Sequence, residues 1–240
     1  MASGRTVHGM STYGQFCPVA MASEVLTERW TPLVVRELLC GSTRFNDLRR
    51  GVPLMSPSLL SKRLKTLERV GVIERRPAAA GQAVEYVLTP AGEELRPIIE
   101  SMGIWGQRWA RADVGARQMD ASLLMWDIHR NIVVELLPPE RVVVFFHLRG
   151  SIDKKSRFWL VLQHGAADVC LADPGYDVDI TVEGHVRTMV DYWMGRIEFA
   201  DAVRAGDLTF AGPRRLVRAL PTWFGRSLFA PVALPEIVGV

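Results

Sequence analysis

Residues 56–71 read SPSLLSKRLKTLERVG, and their reading decides the fold of the first half of the chain. Ser56 is a natural N-cap, because its hydroxyl can accept a bond from a backbone N–H that the first helical turn leaves unpaired. Pro57 in that turn has no N–H to satisfy, and Gly71 supplies the stop. Between them Leu60, Leu64 and Leu67 recur at helical spacing and mark a buried side. Ser58, Lys62, Lys65 and Arg69 recur on another side. The expectation is an amphipathic helix that carries hydroxyl and ammonium groups on its free face.

Upstream, the apolar positions from Val19 to Leu39 fit two helices. The second is expected to open with Thr31 as N-cap and Pro32 at the first helical position, and to close near Gly41. A short third helix puts Phe45 and Leu48 on one face and ends around Gly51 to Pro53. Downstream, strands at Val72–Arg76 and Val84–Leu88 flank a Pro-, Ala- and Gly-rich loop suited to a hairpin tip. Thr89 and Pro90 then start a fifth helix. Leu95, Ile98, Met102, Trp105 and Trp109 follow at three- and four-residue steps, a seam that packs along another helix, either in its own domain or in a second copy.

The order helix, helix, short helix, longer helix, hairpin, helix suits a groove reader: the fourth helix enters the DNA major groove while the hairpin reaches the flanking backbone. A formal net charge of +3 over 240 residues does not identify a nucleic-acid binder. Its placement is more telling. Residues 41–76 hold Arg44, Arg49, Arg50, Lys62, Arg63, Lys65, Arg69, Arg75 and Arg76 against Asp47, Glu68 and Glu74. The candidate DNA contacts are Arg44, Asn46, Ser56, Pro57, Ser58, Ser61, Lys62, Lys65, Arg75 and Arg76. Hydroxyls can serve base edges, and cations can serve phosphates. Any one basic residue taken alone reads better as a solvated surface charge; the arrangement as a whole is the more specific signal.

The runs Cys17-Pro18-Val19-Ala20, Arg29-Trp30-Thr31, Arg36-Glu37-Leu38, Arg44-Phe45-Asn46-Asp47-Leu48 and Val84-Glu85-Tyr86 to Leu88-Thr89-Pro90 closely resemble the HxlR family of bacterial winged-helix regulators. The match covers roughly residues 15–110. Thr27 and Glu28 stand where that family often has glycine or small polar residues. The resemblance implies a homodimer on a pseudo-palindromic operator, with repression the commoner outcome. In several similar proteins the cysteine of the Cys-Pro motif senses oxidants or electrophiles, and Cys17 occupies that position. Read from its neighbours alone, Cys17 is either structural or sensory, since reactivity requires exposure and nearby positive charge.

The second half has a different character. A helix around Ala121–Leu137 ends at Pro138-Pro139, and strands are expected near Arg141–Arg149, Arg157–Gln163, Asp168–Ala172 and Asp177–Glu183. Helices near His185–Met194, Glu198–Ala205 and Pro213–Phe224, with a strand at Asp207–Ala211, complete an α+β domain. Strands joined by short turns suggest an antiparallel sheet. The stretch DVCLADPG from Asp168, followed by Asp177-Val178-Asp179, Trp193-Met194-Gly195, Ala202 to Gly206 and Gly212-Pro213-Arg214, resembles a sterol carrier protein 2-like domain over roughly residues 123–230. That resemblance implies a curved sheet and helices enclosing an apolar cavity for a lipid or another hydrophobic molecule. Trp126, Phe146, Phe158, Trp159, Met189, Trp193, Phe210 and Phe224 are its candidate lining; ordinary core packing is the better explanation for each taken singly, so the ligand expectation applies to the domain as a whole.

The expected organisation is a winged helix-turn-helix domain over residues 1–113, a linker over 114–122 and an α+β domain over 123–240. Three cysteines without paired spacing suggest neither a disulfide framework nor a thiolate zinc site. His129, His147, His164 and His185 lack metal-ligand spacing, and no nucleophile-elbow or phosphate-loop motif occurs. The carboxylates Asp168, Asp173, Asp177 and Asp179 fall on a turn and a wet strand edge, where solvation accounts for them. No enzyme, cofactor or metal is expected. A cytoplasmic location is expected because no stretch has the apolar length of a membrane span or a signal segment.

Overall fold

The computed structural model describes residues 12–77, 84–110 and 119–233. These fall into two compact units, divided between Met102 and Gly103. The expected hairpin tip (78–83) and the greater part of the expected linker (114–118) lie outside the described residues.

In the first unit, α1 (Pro18–Leu26), α2 (Thr31–Leu39), α3 (Phe45–Gly51) and α4 (Pro57–Arg69) precede a hairpin of β1 (Ile73–Arg76) and β2 (Glu85–Leu88). The hairpin is antiparallel, with Ile73 opposite Leu88 and Arg76 opposite Glu85. Val34, Val35, Leu48, Leu60, Leu64, Leu67, Ile73 and Ile99 form its core. Thr31 does not cap α2. It lies inside the first turn, almost fully buried, while Trp30 is the capping residue with φ at 80° and no side-chain bond. Cys17, by contrast, occupies the N-cap position of α1.

The expected fifth helix is two helices, α5 (Pro90–Glu93) and α6 (Arg96–Trp109). Pro97 is the reason for the break. It has no N–H to donate to the preceding turn, so the chain restarts a helix with proline near its beginning. Thr89 caps α5, its hydroxyl accepting from Gly92 N at 3.2 Å and donating to Gly71 O at 2.6 Å. This stitch draws α5 so close to the end of α4 that a Cβ on Gly92 would stand 2.2 Å from Val72 O and 2.8 Å from Leu88 Cδ2. A backbone oxygen cannot step aside, so Gly92→Ala is expected to destabilise this unit by about 3 kcal/mol, measured by urea unfolding.

The second unit is built on a five-stranded sheet of β3 (Val142–Arg149), β4 (Arg157–Gln163), β5 (Ala166–Cys170), β6 (Ile180–His185) and β7 (Leu208–Ala211), in the order β5-β4-β3-β6-β7. The sheet is mixed, which corrects the antiparallel expectation: β3 and β6 are parallel, with Val144 opposite Ile180. The cause lies in β5, which ends at Cys170, level with Trp159 on β4 and hence with Phe145 on β3. Residues 171–179 pass two strands, a sideways distance of about 14 Å, within the roughly 30 Å that such a segment can span. They deliver β6 at nearly the level where β5 stopped. Asp179 fixes the arrival, donating its N–H to Val143 O at 2.9 Å and accepting from Val143 N at 2.8 Å through its carboxylate. The strand therefore begins at Ile180 rather than Asp177, and Val178 is exposed.

Helices α7 (Ala121–Arg130), α8 (Val186–Trp193), α9 (Phe199–Arg204) and α10 (Arg214–Trp223) complete the unit. Val142, Val144, Phe146 and Leu148 of β3 share one core with Leu124, Met125 and Ile128 of α7, Met189 of α8 and Leu216 and Leu220 of α10. Met119 and Asp120 are buried here, so the expected linker ends before them. Asp120 caps α7, its Oδ1 accepting from Leu123 N at 3.0 Å, and burial pushes its carboxyl above the ordinary value. α7 stops short of Leu137 because Val133 N turns to donate to Trp223 O at 2.9 Å.

Candidate nucleic-acid interface

Helix α4 carries the sequence pattern into space. Ser56 Oγ accepts from Leu59 N at 3.3 Å and starts the helix, a cap that contributes about 1 kcal/mol. Leu60, Leu64 and Leu67 are buried, and this orients the opposite side outward. Ser58, Lys62, Lys65 and Arg69 are exposed and Ser61 is half-buried, so the serine and lysine side is available to a ligand. Pro57, at the first helical position, and Ser56 are exposed as well.

The other candidate contacts lie on neighbouring elements of the same unit. Asn46 is exposed on α3. Arg44, just before α3, sits 3.7 Å from Glu85 Oε1 and forms an isolated bridge to that residue, which joins the turn to the hairpin. Arg75 and Arg76 are exposed on β1, and Arg76 Nε donates to Glu74 at 2.7 Å. Arg63 leaves the basic surface. Its Nε donates to Arg29 O at 3.1 Å and its guanidinium pairs with Glu28, which ties α4 to the α1–α2 turn.

Sequence reading missed the contact that ties α2 to the end of α3. Glu37 is fully buried, and Arg36 donates Nε to Glu37 Oε1 at 3.0 Å and Nη2 to Gly51 O at 3.0 Å. A Cβ on Gly51 would fall 1.9 Å from Glu37 Cδ, so glycine at this place makes room for the carboxylate. Arg36 and Glu37 are adjacent in sequence and readable as a pair. Gly51 gives no signal of its role. Glu37→Ala would leave the half-buried Arg36 without its carboxylate and open a void where Glu37 is fully buried, at an expected cost of about 2 kcal/mol in chemical denaturation.

The α6 seam is largely uncovered. Ile98, Met102, Trp105 and Trp109 are 43, 50, 62 and 63% exposed. Leu95 departs from the expected set, since it packs against the core of the first unit, and Ile99 is the buried residue of the helix. Helix α1 buries no residue at all, and Phe16, Val19 and Met21 beside or within it are exposed. Cys17 is half-buried and forms no disulfide.

Of the candidate ligand-lining residues, Phe146, Phe158, Met189, Trp193 and Phe224 belong to the core of the second unit, with Phe146 and Phe224 rings 6.0 Å apart. Phe210 packs at its margin against Phe199, 5.0 Å between centroids. Trp126 is buried outside that core, stacked on His129, whose Nε2 is bonded to Ala167 O at 2.8 Å. Trp159 points away. Adjacent strand residues face opposite sides of a sheet, so Trp159 joins Phe145 rather than Phe158, with ring centroids 5.0 Å apart.

The sequence pattern described as HxlR-like helix-turn-helix matches residues 25–114. YvaP, an HTH-type transcriptional regulator of Bacillus subtilis (strain 168), is 37% identical over 97 residues, which are 40% of this chain and 90% of YvaP. The chain belongs to the HxlR-like helix-turn-helix family. It is a transcription regulator with the DNA-binding helix-turn-helix that defines HxlR proteins. YdeP, an HTH-type regulator of the same organism, is 34% identical over 94 residues, 39% of this chain and 73% of YdeP. The solved structure of the reduced form of YodB from B. subtilis covers 40% of this chain and 97% of its own, with 28% identity and a TM-score of 0.36. No helix among the described residues is long and apolar enough to cross a membrane.

Proposed function

We propose that this HxlR regulator binds operator DNA as a homodimer, with α4 in the major groove of each half-site, and that it acts as a repressor. The observation that carries the reading is α4 itself: a Ser-capped helix fixed by three buried leucines, with Ser58, Lys62 and Lys65 turned to solvent. Ser58 and Ser61 would meet base edges, Lys62 and Lys65 phosphates, Arg75 and Arg76 the flanking backbone, and Arg44, Asn46, Ser56 and Pro57 the approach to the groove. The uncovered Ile98, Met102, Trp105 and Trp109 stripe would form the dimer contact, joined by the exposed apolar side of α1.

In this reading residues 1–113 bind DNA and dimerise, and residues 123–240 form a sterol carrier protein 2-like domain. A sheet backed by helices on one face, with Phe146, Met189, Trp193 and Phe224 between the layers, supports that part. An apolar effector held there would change operator affinity only by binding two conformations unequally. Genome-wide binding with purified protein, run with and without cellular lipid extract, tests both halves. Discrete genomic sites whose occupancy shifts with extract are expected. No enrichment at all would overturn the DNA reading, and occupancy indifferent to extract would overturn the effector.

A second reading makes Cys17 the switch. It is favoured by the half-exposed thiol at the very start of α1, a helix that has no fully buried residue and meets the core of its unit through half-buried Val25. A Cys17→Ser protein should keep full operator affinity in the presence of quinone or oxidant. Loss of affinity in that variant removes this reading and leaves the first intact.

A further inference from the structure

Trp159 opens a surface that the core-facing residues do not use. On the sheet face opposite the helices, Phe145, His147 and Arg149 of β3 lie beside Arg157, Trp159 and Val161 of β4 and beside Thr181 and Glu183 of β6. None of these side chains belongs to the hydrophobic core of the unit, and the same face is covered only toward its other end, where Val143 of β3 is buried. Phe145 and Trp159 are cross-strand partners, both half-buried, with rings tilted at 43°. One step along the same face, Arg157 is exposed opposite His147, and Arg149 follows on β3.

The charges on this face do not cancel. Glu183 turns toward His147, whose Nδ1 stands 3.7 Å from its carboxylate, and Asp168 lies opposite Val161 at the far end. Arg149 and Arg157 have no ion pair among the described residues, while in the β3–β4 turn Lys155 lies beside Asp153, whose carboxylate accepts from its backbone N–H at 3.1 Å. An aromatic pair alone is explained by cross-strand packing. An aromatic pair with two uncommitted guanidinium groups at one end has the complementarity of a flat ring bearing an acid group: the ring packs on the aromatics and a carboxylate meets the guanidinium fork.

We propose that this open face binds a planar aromatic anion, with its ring against Phe145 and Trp159 and its acid group at Arg157 and Arg149. The site is separate from the apolar core between sheet and helices.

Calorimetric titration of the full chain with naphthalene-2-carboxylate, and with its neutral counterpart naphthalene-2-carboxamide, tests it. The carboxylate is expected to bind about tenfold more tightly than the amide. Arg157→Gln, an exposed change that leaves the fold intact by circular dichroism, should erase that preference, and Trp159→Ser should weaken both compounds. Phe224→Leu, in the core on the other face, should alter neither. The proposal is overturned if the carboxylate does not bind, if the two compounds bind alike, if Arg157→Gln leaves the preference unchanged, or if Phe224→Leu abolishes binding.

Discussion

If the proposed dimer forms through α6, a Trp105→Glu protein is expected to sediment as a monomer where the unaltered protein sediments as a dimer, and to bind its operator about a thousandfold more weakly, the low end of the gap between specific and non-specific binding. Trp105 lies in the middle of the exposed stripe on α6, between Met102 and Trp109. A tryptophan covered on association buries roughly 150 Å² or more, equivalent to about 4 kcal/mol of apolar transfer. A glutamate loses that term. In a symmetric interface it also brings two like charges together. Because Trp105 is 62% exposed within its own chain, the thermal unfolding of the monomer should change little. Replacing Ile99, which is buried, would lower that stability instead. If Trp105→Glu stays dimeric, the stripe is not the interface.

Replacing Lys62 and Lys65 together with alanine should have an effect of similar size by a different route. A dimer presents four such lysines, and each phosphate contact contributes a slope of about 0.9 to the dependence of log affinity on log salt. The variant should therefore show a slope shallower by about 3.6, and an affinity about a thousandfold lower near physiological salt. Its melting temperature should hold, since both side chains are exposed and α4 keeps its leucines. A parallel loss of affinity with no change of slope would mean that the lysines act through structure rather than on phosphates.

The sequence made α4 legible because local chemistry determines it: Ser56 caps, Pro57 opens, and the leucines set the register of burial. The hairpin strands and the helices after His185 were readable for the same reason. The parallel partnership of β3 and β6 was not. Alternation reveals which side chains face inward, whereas strand direction depends on how residues 171–179 travel, a non-local matter. Pro97 did carry the signal for the break between α5 and α6, overshadowed by the regular apolar spacing across it. Neighbouring strand positions at Phe158 and Trp159 likewise imply opposite faces, so they cannot line one cavity. At the candidate interface, the exposed groups of α4 followed from periodicity. The Arg36, Glu37 and Gly51 elbow did not, because it joins residues from two helices.

The most direct measurement is dimethyl sulfate protection on the bound operator, which reports guanine N7 in the major groove and adenine N3 in the minor groove separately. Two patches of guanine N7 protection about ten base pairs apart are expected, both weakened when Ser58 and Ser61 become alanine. Protection confined to adenine N3, or a single patch that ignores those serines, would contradict a pair of α4 helices reading the major groove.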